Sequence, residues 1–277
     1  MGLTTGIAWT DATWNPWRGC RKVSAGCAHC YMYREQERYG RDPKSVVRAS
    51  SETFEAPLRW ARAKERPRLV FTCSWSDFFI EDADAWRPEA WRIIRDTPAL
   101  TYQILTKRPE RISTCLPPDW GRGYPNVWLG VSAETIAIAE KRGELLGRVP
   151  ADLTFLSAEP WLECSGARPS SALRDSYAAA LAPFDWIILG GESGPMARAL
   201  CLSSAKLVRD TCQDTDIPFF LKQLGGWPNP RSHEEATLDG RTWTQMPWVA
   251  GGDKLDAQAP ELRERVVALS LKKEDFL

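Results

Sequence analysis

The chain has 277 residues, and its 36 Lys and Arg residues balance 36 Asp and Glu residues, so its formal net charge is zero at pH 7. That balance excludes the basic footprint of a dedicated nucleic-acid binder, although it leaves local basic patches open. The sequence has no apolar run of about eighteen residues and no charged-then-apolar leader, so we expect a soluble, cytoplasmic protein that does not enter a membrane.

The first predicted elements lead into and out of a cysteine-rich loop. An extended stretch at residues 7–14 ends at Asn15-Pro16, and helix-forming residues follow the loop at 28–39. A further helix is predicted at residues 57–64.

From residue 69 onward, short apolar runs alternate with stretches of helical spacing. The predicted strands are 69–73, 101–105, 126–131, 153–157, 186–189 and 218–222, and the predicted helices are 83–96, 109–115, 133–146, 171–181 and 203–213. Short apolar strands that are each followed by a helix are typical of a parallel sheet with both faces buried. About seven such units predict an α/β fold, a partial or nearly closed (β/α) barrel over residues 1–225.

The organisation changes after residue 225. Asp239-Gly240 is a hairpin signal, and residues 259–271 have the pattern of an amphipathic helix. We therefore predict a small C-terminal extension, residues 226–277, which either covers the barrel mouth or docks a protein partner.

Three cysteines, Cys20, Cys27 and Cys30, fall within eleven residues. Three thiolates suit a [4Fe-4S] cluster with one open iron, whereas a structural zinc ion needs four protein ligands. Three interpretations are open here: an iron-sulfur cluster, a zinc site completed by His29 or His233, and unliganded structural thiols. The other five cysteines have no paired spacing, so we expect buried, reduced side chains rather than disulfides. These are Cys73, Cys115, Cys164, Cys201 and Cys212.

Several motifs carry a resemblance to known families. They are the cysteine loop, Trp9 to Pro16, Leu105 to Pro109, Trp128 to Ser132, Leu156 to Pro160 and Gly190 to Gly194. The cysteine spacing resembles a variant of the radical S-adenosylmethionine (SAM) signature, with a longer first gap. The fuller set resembles the phage-associated three-cysteine-motif proteins, a family largely of unknown function.

The resemblance implies a barrel of the radical SAM type in which Cys20, Cys27 and Cys30 hold a [4Fe-4S] cluster. SAM would bind at the open iron, with His29 against its adenine, and an external electron donor would reduce the cluster. Reductive cleavage of SAM would then give a 5'-deoxyadenosyl radical that abstracts hydrogen from the substrate.

The polar residues that follow each apolar run should meet at the barrel mouth, because the loops after parallel strands open on one face. Besides the cysteine loop they include Ser74, Ser76, Asp77, Lys107, Arg108, Ser132, Glu134, Glu159, Gly190, Gly191, Glu192, Ser193, Lys222 and Gln223. Convergence of these residues predicts an active site rather than a passive scaffold.

Individual roles follow from residue type and position. By position after the second strand, Asp77, Ser74 and Ser76 are candidates for the SAM amino group, and Ser132 is a further cofactor contact. Gly190 and Gly191 would let backbone approach a ligand, although they could equally form a simple turn. We predict catalytic or substrate contacts for Lys107, as an anion ligand, and for Glu159 and Glu192. Lys107 and Arg108 could otherwise form a solvated pair at a helix start.

The substrate is the weakest inference. The phage association of the similar family suggests a nucleobase or nucleotide in DNA, and Lys107 near Tyr102 and Trp128 would suit a phosphate-bearing, stackable group. Two alternatives are a zinc-stabilised module that binds nucleic acid or a partner without catalysis, and a cluster-bearing nuclease or regulatory partner that never cleaves SAM.

Overall fold

Seven parallel strands form the sheet that organises the molecule. The computed structural model describes residues 5–166 and 169–247. The strands are β1 (Ala12–Trp14), β2 (Leu69–Thr72), β3 (Thr101–Thr106), β4 (Val127–Ser132), β5 (Leu153–Ala158), β6 (Trp186–Gly190) and β7 (Phe219–Gln223). Each strand pairs in parallel with its neighbour along the chain, which gives a half-barrel and confirms the predicted partial (β/α) barrel.

The described residues form eight α-helices, of which the first three lie between β1 and β2. They are α1 (Tyr31–Arg38), α2 (Ser51–Phe54), α3 (Ala56–Trp60), α4 (Arg87–Arg95), α5 (Ile112–Cys115), α6 (Ile136–Leu146), α7 (Ser171–Leu181) and α8 (Leu202–Asp214). The Thr135 hydroxyl accepts a hydrogen bond from the Ile138 amide and begins α6 three residues later than the sequence pattern predicts. Ser170 caps α7 in the same way through the Leu173 amide.

The two faces of the sheet are filled differently. The outer face packs against the helices through apolar side chains such as Val70, Ile104 and Leu156. A second cluster on the inner face contains no helical residue and is mostly aromatic, and we call it the aromatic plug. Its members are Trp9, Phe71, Trp128, Leu153, Phe155, Trp186, Ile188 and Phe220.

Side chains alternate between faces along each strand, so the inner face changes character toward its carboxyl end. Trp128 is followed on its face by Gly130 and Ser132, and Phe155 is followed by Ser157 and Glu159. The half-barrel therefore has an aromatic base and a polar mouth.

The segment after residue 225 adds antiparallel structure to the edge of the sheet. Thr237–Leu238 and Arg241–Thr242 form a hairpin whose central residues, Asp239 and Gly240, have φ angles of 54° and 73°. This confirms the Asp-Gly hairpin, since both central residues of such a turn need positive φ. Thr244 then bridges to Phe220 of β7. The predicted helix at 259–271 lies outside the described residues.

The expectation that the five scattered cysteines are all reduced and buried is wrong. Cys164 and Cys201 form a disulfide, with their Cα atoms 5.3 Å apart. They lie 37 residues apart in sequence, but they occupy neighbouring loops, after β5 and before α8, so only the tertiary structure brings them together. Cys73 and Cys212 are buried and reduced as expected, whereas Cys115 is only half-buried.

Within the described ranges, no helix combines the length and apolarity needed to cross a membrane.

Candidate functional site

The cysteine loop, residues 19–31, leaves the edge strand β1 and lies over the carboxyl end of the sheet. The Gly19 amide donates to the Trp75 carbonyl over 3.1 Å, and the Ser76 hydroxyl donates to the Gly19 carbonyl over 2.6 Å. Gly19 has a φ of 92°, and a Cβ at this position would overlap the Ser45 carbonyl. Glycine is therefore required where the loop turns into the mouth.

All three thiols of this loop are reduced and half-buried. The Tyr33 hydroxyl donates to the Cys20 carbonyl over 2.6 Å. The pKa of Tyr33 is raised, first by burial and then by the charges that Cys20, Cys30 and Cys27 would carry. The Tyr33 hydroxyl thus links the start of α1 to the cysteine loop.

Cys20 packs against the main hydrophobic core. Burial, reinforced by the Asp77 carboxylate, raises its pKa to about 11, although Arg108 opposes the shift. The Arg108 guanidinium is 3.9 Å from the Cys20 sulfur. The metal-free protein therefore holds Cys20 as a thiol at neutral pH, and a bound metal would have to displace that proton.

Two carboxylates from later strands hold the cysteine loop in place. Glu134, just after β4, accepts a hydrogen bond from the Gly26 amide over 3.2 Å, and its other oxygen is buried 3.5 Å from Arg142. A Cβ on Gly26 would lie 3.3 Å from that carboxylate, so only glycine fits easily there. Burial raises the pKa of Glu134, but hydrogen bonds from Ser24 and Gly26 and the nearby Arg142 and Lys107 charges lower it overall.

Glu192, just after β6, is the second anchor. It accepts hydrogen bonds from the Arg198 side chain over 2.6 and 2.8 Å, and its Oε2 lies 3.0 Å from His29 Nδ1. Arg198 in turn donates to the Ala25 carbonyl over 3.0 Å. Burial raises the pKa of Glu192, but the bonds from Arg198 and His29 outweigh burial and lower it to about 2.

Asp77 occupies the loop after β2 and serves as a hydrogen-bond hub. It accepts bonds from the Thr106 hydroxyl and the Lys107 amide over 2.7 and 2.9 Å, and it pairs with Arg108 over 3.1 Å. The Phe79 amide supplies a fourth bond. These contacts occupy both carboxylate oxygens, so Asp77 fixes the loops after β2 and β3. Arg108 is therefore not a solvated side chain, because it is buried and paired with the buried Asp77 carboxylate.

The serines predicted beside Asp77 are also engaged with the protein. The Ser74 hydroxyl exchanges hydrogen bonds with the Asn15 side chain, and the Ser74 carbonyl accepts from the Tyr31 hydroxyl. Ser76 supports Gly19, as described above. This loop thereby ties the end of β2 to both sides of the cysteine loop.

A chain of polar contacts crosses the centre of the mouth. Lys107 donates from Nζ to the Ser132 hydroxyl, which donates to the Glu159 carbonyl over 3.0 Å. Lys222 of β7 donates to Glu159 Oε2 over 2.6 Å. Four of the residues predicted at the mouth therefore lie in one continuous row: Lys107, Ser132, Glu159 and Lys222.

Gly190 and Gly191 are required by close packing at this point. A Cβ on Gly190 would lie 2.7 Å from Glu159 Oε2, and one on Gly191 would overlap the Leu224 carbonyl. The glycines thus give room to the Glu159 carboxylate and to the chain after β7.

Sequence reasoning missed some of these residues and misplaced others. Arg198 lies in a loop six residues after Glu192, and no spacing rule marks it. Lys222 has the same sequence signal as Lys107, a cation at the end of an apolar strand. Its position at the mouth is predicted from the sequence, but its pairing with Glu159 is not. The expected stacking by Trp128 and Tyr102 is wrong, because Trp128 belongs to the aromatic plug and Tyr102 to the outer core.

The donor chemistry of the loop suits an iron-sulfur cluster. In a [4Fe-4S] cluster each thiolate binds a different iron, so the sulfur atoms surround a volume, whereas a single zinc ion needs ligands that converge on one point. In the part of the chain that the structure describes, no group of three or more His, Cys, Asp or Glu side chains is already arranged to hold a metal ion. The loop offers three thiolates, the number that leaves one iron of such a cluster open.

A separate cavity of about 490 Å³ lies between α4, α5 and the chain up to Tyr124. Four arginines line it, including Arg87 and Arg111, which both pair with Asp84. It is distinct from the mouth and contains none of the predicted site residues.

A family model described as "Protein of unknown function (DUF5131)" matches residues 4–247. No curated protein matches the chain, and no solved structure does.

Proposed function

We propose that the chain, which belongs to the DUF5131 family of proteins of unknown function, is a radical SAM enzyme that acts on a nucleobase or nucleotide. One observation carries this proposal: three reduced, half-buried thiols lie on one loop above the carboxyl end of a parallel half-barrel. Cys20, Cys27 and Cys30 would hold a [4Fe-4S] cluster. When bound, the cluster would supply the electron, drawn from an external donor, that cleaves SAM to methionine and a hydrogen-abstracting 5'-deoxyadenosyl radical.

The residues around the loop have roles that follow from their contacts. Glu134 and Glu192 position the loop through Gly26 and His29, so we assign Glu192 to positioning rather than to proton transfer. With Nδ1 fixed by that carboxylate, the His29 ring has a defined orientation in which to meet the adenine of SAM. Asp77 holds the loops after β2 and β3 at the same edge.

The row across the mouth would contact SAM and substrate. Lys107 bonds to the neutral Ser132 hydroxyl, so its charge is available for a carboxylate or phosphate. Glu159 uses Oε2 to bind Lys222, and its Oε1 has only a 3.5 Å contact with Ser157. Oε1 is therefore the atom best placed to accept a proton or a hydrogen bond from the substrate.

Metal and sulfide analysis of anaerobically purified protein tests the proposal. We expect about four irons and four sulfides per chain, with a visible absorption band, after reconstitution. Replacing Cys20, Cys27 or Cys30 with alanine should abolish both. Cys115→Ala is the matched control, because Cys115 is also reduced and half-buried but lies away from the loop. A Cys27→Ala protein that keeps a full cluster would show the ligand assignment to be wrong.

A second assay separates SAM cleavage from cluster binding alone. The loaded protein should release 5'-deoxyadenosine from SAM under reducing, anaerobic conditions. A stable cluster without this product would leave the cluster-bearing regulatory or nuclease alternative.

One observation favours a second candidate, a zinc-stabilised binding module. His29 is held through Nδ1 by the Glu192 carboxylate, the arrangement in which a histidine commonly presents Nε2 to zinc. This candidate predicts one zinc per chain and no visible absorbance, even after attempted reconstitution. His29→Gln should then lose the zinc, whereas a cluster held by three cysteines should survive that change.

A further inference from the structure

The mouth is bordered by exposed apolar side chains that the fold does not need. Of the six large apolar residues exposed in the described ranges, five lie in loops after the strands or at the first residue of the following helix. They are Val23, Tyr31, Met196, Leu202 and Trp227. Large apolar groups concentrated on one functional face indicate an interaction surface rather than chance exposure.

Two of these side chains are aromatic rings beside the site. Trp227 is 63% exposed and follows Gly226, which bridges to Ser193 in the loop after β6. Tyr31 is 40% exposed, and its hydroxyl donates a hydrogen bond to the Ser74 carbonyl in the loop after β2. A base can stack on such rings whatever its identity, because every base has a π face.

Cations lie among these rings. Lys22, in the cysteine loop, donates to the Ala28 carbonyl over 2.7 Å, and the Arg34 guanidinium packs against the backbone of Gly194. Among the described residues, no carboxylate lies within 4 Å of the charged groups of Lys22, Arg34 or Lys107. Two acidic side chains of the mouth are paired internally, Glu192 with Arg198 and Glu159 with Lys222. Lys22, Arg34 and Lys107 thus remain able to attract an anion even though the whole chain is neutral.

We propose that this rim binds a single-stranded nucleic acid segment, with bases stacked on Trp227 and Tyr31 and phosphates near Lys22, Arg34 and Lys107. The inference rests on the proposed function, because it assigns the substrate class of the same site. A single strand fits better than a duplex, since stacking on these rings requires unpaired bases and the neutral chain lacks a broad basic surface.

Fluorescence anisotropy with a labelled oligothymidylate tests this proposal on the full-length protein, both as purified and after reconstitution. Trp227→Ala and Tyr31→Ala should each weaken binding about 5- to 150-fold, the range expected for loss of one stacked base. Tyr39→Ala is the matched control, because Tyr39 is 60% exposed but lies at the opposite end of α1. It should leave affinity unchanged.

Salt dependence tests the phosphate contacts separately. Lys22→Ala and Arg34→Ala should each reduce the slope of log affinity against log salt by about 0.7, the value for one phosphate contact on a single strand. A duplex of the same length should bind more weakly than the single strand.

Three results would overturn the proposal. They are no binding at low salt, equal effects of Trp227→Ala and Tyr39→Ala, or a concentration-dependent dimer in sedimentation that Trp227→Ala abolishes, which would make the rim a contact between copies of this chain. Failure here is distinguishable from failure of the proposed function, because SAM cleavage is assayed without oligonucleotide and oligonucleotide binding is measured without SAM.

Discussion

The two ends of the inner face of the sheet are built from the same strands, yet they have opposite chemistry. At the amino end, Trp9, Trp128 and Trp186 pack edge to face, with ring centroids 6.0 and 6.2 Å apart in the two contacts of Trp186. At the carboxyl end, two to four residues further along the strands, hydroxyls, carboxylates and ammonium groups form a connected row. The difference shows how a half-barrel is kept stable at one end and chemically available at the other.

This comparison predicts that the base controls stability and the mouth controls function. Trp186→Ala removes the side chain that contacts four other aromatic rings of the plug, so we expect a loss of about 3–5 kcal/mol in the free energy of unfolding. Urea denaturation of the metal-free protein measures it. Trp227→Ala, an exposed tryptophan at the rim, should change the same quantity by less than about 0.5 kcal/mol. Equal losses in the two variants would contradict the division between base and mouth.

The second-largest expected effect is the pH dependence of the stability that Glu192 contributes at the mouth. The pKa of Glu192 is lowered to about 2 in the folded protein from its ordinary value of 4.5, so its contribution to stability is present above pH 4.5 and is lost as pH falls toward 2. The stability difference between wild type and Glu192→Gln should therefore shrink by about 3 kcal/mol over that range, at about 1.4 kcal/mol per pKa unit. Urea midpoints between pH 6 and pH 2 check this, and a constant difference would mean that the pairing of Glu192 is not electrostatic.

Glu134→Ala should loosen the cysteine loop and leave the rest of the mouth unchanged. It leaves the Gly26 amide and Arg142 without their carboxylate partner, which we expect to destabilise the protein by about 1–3 kcal/mol. Alkylation of Cys27 should become faster in the metal-free protein. Glu163→Ala is the matched control, because Glu163 binds the Ile136 amide at the start of α6 instead of the loop. If both variants accelerate alkylation equally, Glu134 is not a specific anchor.

The smallest expected effect concerns the pair that crosses the mouth. A double-mutant cycle with Glu159→Gln and Lys222→Met should give a coupling free energy of about 1–2 kcal/mol, since the two groups are 2.6 Å apart and largely shielded from solvent. A coupling near zero would mean that the two charges act independently in the folded protein.

The alternation of apolar runs and helical spacing determined the order and approximate bounds of the seven strands, because each strand must be apolar on both faces to lie inside a parallel sheet. It also placed the polar residues after those strands at one mouth, since parallel strands end at the same edge. The three clustered cysteines were visible for the simpler reason that they are close in sequence.

The partners of those residues depended on the tertiary structure. The Cys164–Cys201 disulfide, the contact of His29 with Glu192 and the contact of Arg198 with the cysteine loop join segments that are distant in sequence or lie on different loops. Likewise, residue type alone could not tell whether a tryptophan such as Trp128 stacks on a ligand or fills the core. The role of such a tryptophan depends on which end of the inner face it occupies. The register of the strands sets that position and therefore the burial of the side chain.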